Sequence, residues 1–249
     1  MVQQRGDDKK KGTPDGGLPL LNPVFYATIF LMKETYFTPG NLKKEGVAIR
    51  EELFPRGQKR ARRFDPGKSA LLVLDFQEYF LHPDSHAFIP SAPAVLPGLK
   101  ELIDSFTAAR RPVFYTQHGN TGQDAGSMAS WWRDLLTNDH PFYRLHPELK
   151  PDPDDVIQKT QYDAFFDTDL NKRLQDQGVQ QVVISGVMTH LCCETTARSA
   201  FVQGYEVFFL IDGTASYNRA FHLSSLRNLG HGFATLTMVE ELVDKMAER

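Results

Sequence analysis

From Ser69 onward the chain alternates between two patterns. Short continuous apolar runs, SALLVLD, RPVFYTQ, DVIQK, QQVVISG, YEVFFLID and FATLTM, are rich in β-branched and aromatic residues and bounded by Pro, Gly or Asp. Between them lie stretches with helical periodicity, at 94–110, 168–178, 189–204 and 219–230. Gly178, Gly204 and Gly230 stand where C-terminal caps are expected. A strand with one wet face alternates apolar and polar residues, whereas unbroken apolar runs predict strands covered on both faces. The pattern therefore predicts an α/β fold, a three-layer α/β/α sandwich on a mainly parallel, six-stranded Rossmann-like sheet, over residues 66–249.

The preceding chain has no such rhythm. Residues 1–18 are polar and aperiodic, which predicts a disordered tail. Residues 19–65 read as an N-terminal arm or linker, with an apolar run at 24–32 and a short helix in NLKKEGVAIREELF. The basic run RGQKRARRF at 56–64 reads as solvated linker. The run at 24–32 falls short of the roughly 20 residues a membrane span needs. It also lacks a small-x-small cleavage site, so neither membrane nor secretion is expected. A net charge of −3 and a pI near 6.2 give no electrostatic footprint for nucleic acid. The two cysteines, Cys192 and Cys193, are adjacent and cannot form a disulfide framework, which predicts a reducing, cytoplasmic setting.

Ligands of open parallel sheets bind at the carboxyl ends of the strands. Three reactive side chains fall there: Asp75 ends SALLVLD, Lys159 ends DVIQK, and Cys192 follows QQVVISG at the next helix start. Taken singly, each has an ordinary explanation: an Asp capping a turn, a solvated Lys, a Cys packed as a small hydrophobe. Together they make a nucleophile with its base, since a carboxylate can take a thiol proton. An ammonium and a helix N-terminus are expected to lower the thiol pKa. With Thr189 as N-cap, Cys192 lies in the exposed first turn and Cys193 about 100° further round, toward the sheet. Cys192 is the candidate nucleophile.

The segments LLVLDFQEYF, RPVFYTQHGN, QKTQYDAFFDTDL and GVMTHLCCETTARSAF resemble those of the isochorismatase-like cysteine hydrolases. This superfamily includes nicotinamidases, N-carbamoylsarcosine amidases, ureidoacrylate amidohydrolases and isochorismatases. The last segment carries Gly186, Thr189, Cys192 and Thr196 in the Gly-x-x-Thr-x-x-Cys-x-x-x-Thr signature. The resemblance implies a catalytic triad of Asp75, Lys159 and Cys192 and a cis peptide between Val187 and Met188. It also implies an oxyanion hole from the Met188 and Cys192 amides, and a homo-oligomer, dimer or tetramer. It implies hydrolysis of an amide or ureido C–N bond in a small molecule through a Cys thioester.

Departures from the family patterns narrow the expectation. Nicotinamidases hold a metal through an Asp-x-His segment after the second strand. Here that region reads YTQHGN, without an Asp two residues before His118. His82 and His86 read as surface groups rather than ligands, so no metal and no other cofactor is expected. Isochorismatases proper cleave a vinyl ether with the Asp as acid, which is the alternative reading. A non-catalytic oligomeric binding protein is a further one. The glycines at 119, 122 and 126 do not match a dinucleotide fingerprint. Candidate substrate contacts are Gln77, Phe80, Gln117, His118, Trp131, Trp132, Tyr162, Phe165 and Thr189, with Arg133 or Arg144 as partner for a substrate carboxylate.

Overall fold

The computed structural model describes residues 33–248 apart from Arg133. The expected tail, the apolar run at 24–32 and Arg133 lie outside the described residues. Helix α1 (Leu42–Leu53) comes first. It is followed by β1 (Ser69–Leu74), α2 (Glu78–Leu81), α3 (Ala92–Ala108), β2 (Val113–His118) and α4 (Met128–Trp131). Then come β3 (Val156–Lys159), α5 (Leu170–Asp176) and β4 (Gln181–Val187). A π-helical turn over Thr189–Cys193 leads into α6 (Glu194–Val202). β5 (Glu206–Ala215), α7 (Arg219–Gly232), β6 (Thr235–Thr237) and α8 (Val239–Ala247) complete the chain.

The strands form one sheet in the order β3-β2-β1-β4-β5-β6, with every pairing parallel. Because side chains alternate along a strand, β1 sends Leu71 and Val73 to one face and Ala70, Leu72 and Leu74 to the other. The first face is covered by α3 and α8, through Val95, Leu99, Phe106 and Leu242. The second is covered by α1, α5, α6 and α7, through Ile49, Leu174, Ala197 and Leu226. Both faces are thus dry, which is why the strands read as unbroken apolar runs. The chain winds outward from β1 through β2 to β3, and from β4 through β5 to β6, so the order reverses between β1 and β4. Gly186 marks that junction: its φ is +107°, and an added Cβ would lie 2.1 Å from the Leu74 carbonyl oxygen. No larger residue fits there without separating the strands.

Three expectations need correction. Residues 33–249 form a single compact unit, so the stretch from 33 to 65 is part of the domain, not an arm. Its apolar side chains explain this: Phe37 and Ile49 are fully buried and Phe64 joins the core beside Phe106 and Phe208. Within the basic run, Gln58 donates to the Gly230 and Ala234 carbonyls and accepts from Leu236 N. Gly230 is no cap, because α7 runs on to Gly232. It is small because a Cβ there would meet the Phe54 ring at 2.7 Å. Gly178 and Gly204 do follow helix ends, with φ of +64° and +95°. Helix α8, absent from the periodicity reading, docks Val239, Leu242 and Met246 against the core. Among the described residues no helix is long and apolar enough to cross a membrane.

Candidate active site

Asp75 follows β1 directly, Lys159 is the last residue of β3, and Cys192 lies in the π turn after β4. The three meet at the carboxyl edge of the sheet. Lys159 Nζ stands 2.8 Å from Asp75 Oδ2 in an ion pair with no solvent exposure on either side. The same ammonium donates to Cys192 Sγ at 3.5 Å and to the Gln161 carbonyl at 2.8 Å. Its three protons are thereby all directed. Asp75 Oδ1 accepts from Thr116 Oγ1 at 2.6 Å, and Thr116 Oγ1 accepts from Asp75 N at 3.0 Å. The Asp75 backbone takes a left-handed turn, φ 48°, that lifts its side chain off the strand end. Asp75 Oδ2, which receives the Lys159 ammonium and no bond from Thr116, is the oxygen left to take a proton.

Burial raises the Cys192 thiol pKa; Lys159 opposes that shift, and Asp75 adds to it. Burial would lower the Lys159 ammonium, but the Asp75 and Cys192 charges outweigh it and hold the group above its ordinary value. The resting site is therefore a neutral thiol beside an ion pair, opposite to the lowered thiol pKa expected from a helix start. The geometry explains the reversal. Met188, not Thr189, is the N-cap, and the first turn is a wide π turn with Cys192 buried inside it. Cys193 points away, its Sγ 3.8 Å from the Ser185 carbonyl, and packs with Ala197 and Ala200 on the opposite sheet face. The peptide between Val187 and Met188 is cis. Thr196 ties the site to its neighbours by accepting from Ala164 N, while its hydroxyl lies 3.4 Å from the Tyr162 carbonyl.

Cys192 and Met188 open onto a cavity of about 260 Å³. Its wall is largely apolar, with Phe80, Met128, Leu136, Leu191 and Trp132 contributing. Tyr162 lines it too and accepts a hydrogen bond of 2.7 Å from Trp132 Nε1. Polar groups on the wall are His86, His118, Asn120 and Asp134, and no Lys or Arg among the described residues lines it. His86 Nε2 sits 3.0 Å from Tyr79 Oη and 3.6 Å from Asp134 Oδ2, joining the loops after β1 and β2. Among the described residues no group of three or more His, Cys, Asp or Glu side chains is placed to hold a metal ion.

Of the expected substrate contacts, Phe80, His118, Trp132 and Tyr162 line the cavity. Five do not. Trp131 is 78% exposed, because adjacent helical positions point apart. Phe165 stacks on Tyr205. Gln77 is fully buried and spans from His118 to the Tyr143 carbonyl, and Gln117 bonds Tyr143 O and Gln158 on the other side of β2. Thr189 turns to His222 Nδ1, 2.9 Å away. Arg144 is exposed and outside the cavity wall. Residues the sequence reading passed over include Tyr79, Asn120 and Tyr217 on the wall and Thr116 behind Asp75. Thr116 alone had a legible signal, two positions before His118 on the same face of β2.

Residues 69–241 match the isochorismatase domain. The chain is 36% identical over 188 residues to Nicotinamidase 3 of Arabidopsis thaliana, covering 73% of this chain and 91% of that protein. It is 31% identical over 183 residues to Enterobactin synthase component B of Escherichia coli. That match covers 72% of this chain and 64% of that protein, so the chain spans less than two thirds of it. Among solved structures, a cysteine hydrolase from Pseudomonas syringae pv. phaseolicola superposes with a TM-score of 0.72 at 25% identity, covering 77% of this chain and 99% of that one. The chain belongs to the isochorismatase family and is a hydrolase.

Proposed function

We propose that the protein hydrolyses the C–N bond of a small neutral amide through a thioester on Cys192. The observation that carries this reading is the buried row Cys192–Lys159–Asp75, with the thiol 3.5 Å and the carboxylate 2.8 Å from one ammonium, at the end of an apolar cavity. As substrate enters, Asp75 Oδ2 takes the thiol proton and the sulfur attacks the carbonyl carbon. The Met188 and Cys192 amides receive the oxyanion, a contribution of roughly 10²–10³ in rate per donor. The C–N bond then breaks as Asp75 returns its proton to the leaving nitrogen. Water, deprotonated by Asp75, attacks the thioester, the C–S bond breaks, and the proton passes back to the sulfur. Lys159 holds Asp75 in place through the 2.8 Å ion pair and stabilises the thiolate while it exists.

The likeness to a nicotinamidase and to a cysteine hydrolase supports C–N cleavage. A second reading, vinyl ether hydrolysis with Asp75 as acid, draws on the likeness to an enterobactin synthase component and to an isochorismatase of Bacillus subtilis. A panel of carboxamides, ureido acids and isochorismate, assayed for ammonia and for carbonyl products, tests the choice. Ammonia release together with a trapped acyl adduct on Cys192 is the expected result. Carbonyl product from isochorismate, undiminished in Cys192→Ala, would reverse it.

A further inference from the structure

An open groove of about 600 Å³ lies along the β3 edge of the sheet, and none of its lining residues lines the Cys192 cavity. Its floor is Val113 and Tyr115 of β2, on the sheet face that α3 covers. One wall is α3, through Ile103, Asp104 and Thr107. The other is the chain from Glu148 to Asp155, which leads into β3. Tyr115 is only 4% exposed, yet among the described residues its hydroxyl has no hydrogen-bond partner. Burial first, then the charges of Asp155 and Asp104, push its pKa up to about 12, so the proton stays on and the oxygen stands within reach of both fields. Asp104 makes no ion pair among the described residues, and Asp155 meets Arg173 Nη2 only at 3.6 Å, beyond a hydrogen bond. Glu148, by contrast, is taken by Lys100 at 2.6 Å. Lys150, the other cation of the wall, is exposed.

We propose that this groove binds a guanidinium group carried on an alkyl stem, with Asp104 and Asp155 facing the charge, Tyr115 Oη accepting from it, and Ile103, Val113 and Leu149 packing on the stem. The sign of the charge follows from the wall, where Asp104, Glu148, Asp152 and Asp155 outnumber Lys100 and Lys150. The kind of cation follows from how the acceptors are spread. Among the described residues no three His, Cys, Asp or Glu side chains converge closely enough to hold a metal ion. A guanidinium is planar and carries five N–H donors, so it reaches acceptors that stand apart, whereas an ammonium is a compact point charge. It is also more weakly hydrated, and enters a floor of Val113 and Tyr115 at a smaller desolvation cost. The site draws nothing from Cys192 and stands or falls separately from the hydrolysis proposed above.

The probe is n-butylguanidinium, titrated by calorimetry into the full chain at low ionic strength, beside n-butylammonium and the uncharged N-butylurea. Its Kd should be about 1 mM or tighter, as suits a ligand of this size. It should bind about threefold or more tighter than n-butylammonium and about tenfold or more tighter than N-butylurea. Tyr115→Phe, which removes one oxygen and keeps the buried ring, should weaken it by about tenfold, the worth of a hydrogen bond to a charged group. Asp104→Asn should weaken it by about threefold. Cys192→Ala should bind it as the wild type does. A Kd above about 10 mM, an equal affinity for either analogue, or unchanged binding in Tyr115→Phe would overturn the proposal. Loss of binding in Cys192→Ala would move the cation to the catalytic cavity and overturn it too. If Tyr115→Phe does not fold, Asp104→Asn at its exposed position decides. The peptide acetyl-Gly-Arg-Gly-amide then separates two sources of the group. Affinity within about threefold of the probe assigns the groove to a free alkylguanidinium, and a larger gain assigns it to an arginine side chain of a polypeptide.

Discussion

On either side of the loop that ends β4, the chain buries a cluster of polar side chains, and the two are built differently. Toward the cavity lie Asp75, Lys159, Cys192 and Thr116, with a fully buried ion pair at the centre. Away from it, Thr189 Oγ1 meets His222 Nδ1 at 2.9 Å, and His190 Nδ1 meets Ser216 Oγ at 2.5 Å. There the Tyr36 hydroxyl accepts from Ser216 N at 2.8 Å, and the Tyr36 and Phe37 rings pack on His222. This second cluster is neutral throughout: burial pushes His222 down to about 3 and His190 to about 4, and raises the Tyr36 hydroxyl. Its work is to fasten the segment around residue 36 and α7 to the signature loop. Neutral hydrogen bonds suffice for fastening, whereas burying a charge pair costs several kcal/mol per ion before its attraction is counted. Here that cost falls where a cavity opens beside Cys192.

The largest effect expected from this contrast separates the adjacent cysteines. Cys192→Ala should lower kcat by about 10⁴-fold or more, measured on whichever amide the substrate panel identifies. Cys193→Ala faces the other sheet side and should retain kcat within a few-fold. Equal losses would mean that the two sides of the loop are not functionally distinct. Next comes the ion pair. Lys159→Met strands the Asp75 carboxylate in the interior and should cost about 3–5 kcal/mol in urea unfolding. The double variant Asp75→Asn with Lys159→Met should recover part of that loss while remaining inactive. If the double variant is as unstable as the single one, the buried charge is not what makes the cavity side costly.

The sequence reveals the charged cluster better than the cavity around it. Asp75, Lys159 and Cys192 were legible because strand ends are readable from apolar runs, and the parallel sheet sends all such ends to one edge. The wall was not, because one step in sequence turns a side chain to another face. Trp132 lines the cavity while Trp131 is solvated, and His118 lines it while Gln117 lies on the reverse of β2. Asn120, Tyr79 and Tyr217 sit on loops, whose course depends on contacts such as Asn120 N to the Leu136 carbonyl, distant in the chain. The protonation of Cys192 was misjudged for a related reason. Spacing locates a helix start but not the depth at which the turn is buried.

Acid should act chiefly through the neutral cluster. His222 has a folded pKa near 3 against 6.5 for a free imidazole, so below pH 6.5 the unfolded chain binds a proton that the folded chain refuses. The stability this group confers is complete above pH 6.5 and is lost as the pH falls from there toward 3. At pH 5 the loss amounts to roughly 2 kcal/mol for this one residue. His222→Asn, which keeps a polar atom near the Nδ1 position, should reduce the stability difference between pH 7 and pH 5 by about that amount in denaturant titrations. An unchanged difference would mean that the second cluster is not held neutral.

The finest distinction lies between two threonines, one in each cluster. Thr116 donates to the Asp75 carboxylate at 2.6 Å, a bond to an ionised acceptor worth about 1.5–3 kcal/mol, whereas Thr189 bonds a neutral ring. Thr116→Val keeps the shape and removes the donor, freeing Asp75 to rotate out of line with Cys192. It should lower kcat by roughly tenfold or more with KM within about twofold, and Thr116→Ser should restore most of the rate. Thr189→Val should instead cost about 1 kcal/mol of stability. A rise in KM at constant kcat for Thr116→Val would place that hydroxyl in substrate binding rather than behind the base. The charged cluster would then extend its polar contacts into the cavity itself, and the division between orienting groups and reading groups would fall at a different residue.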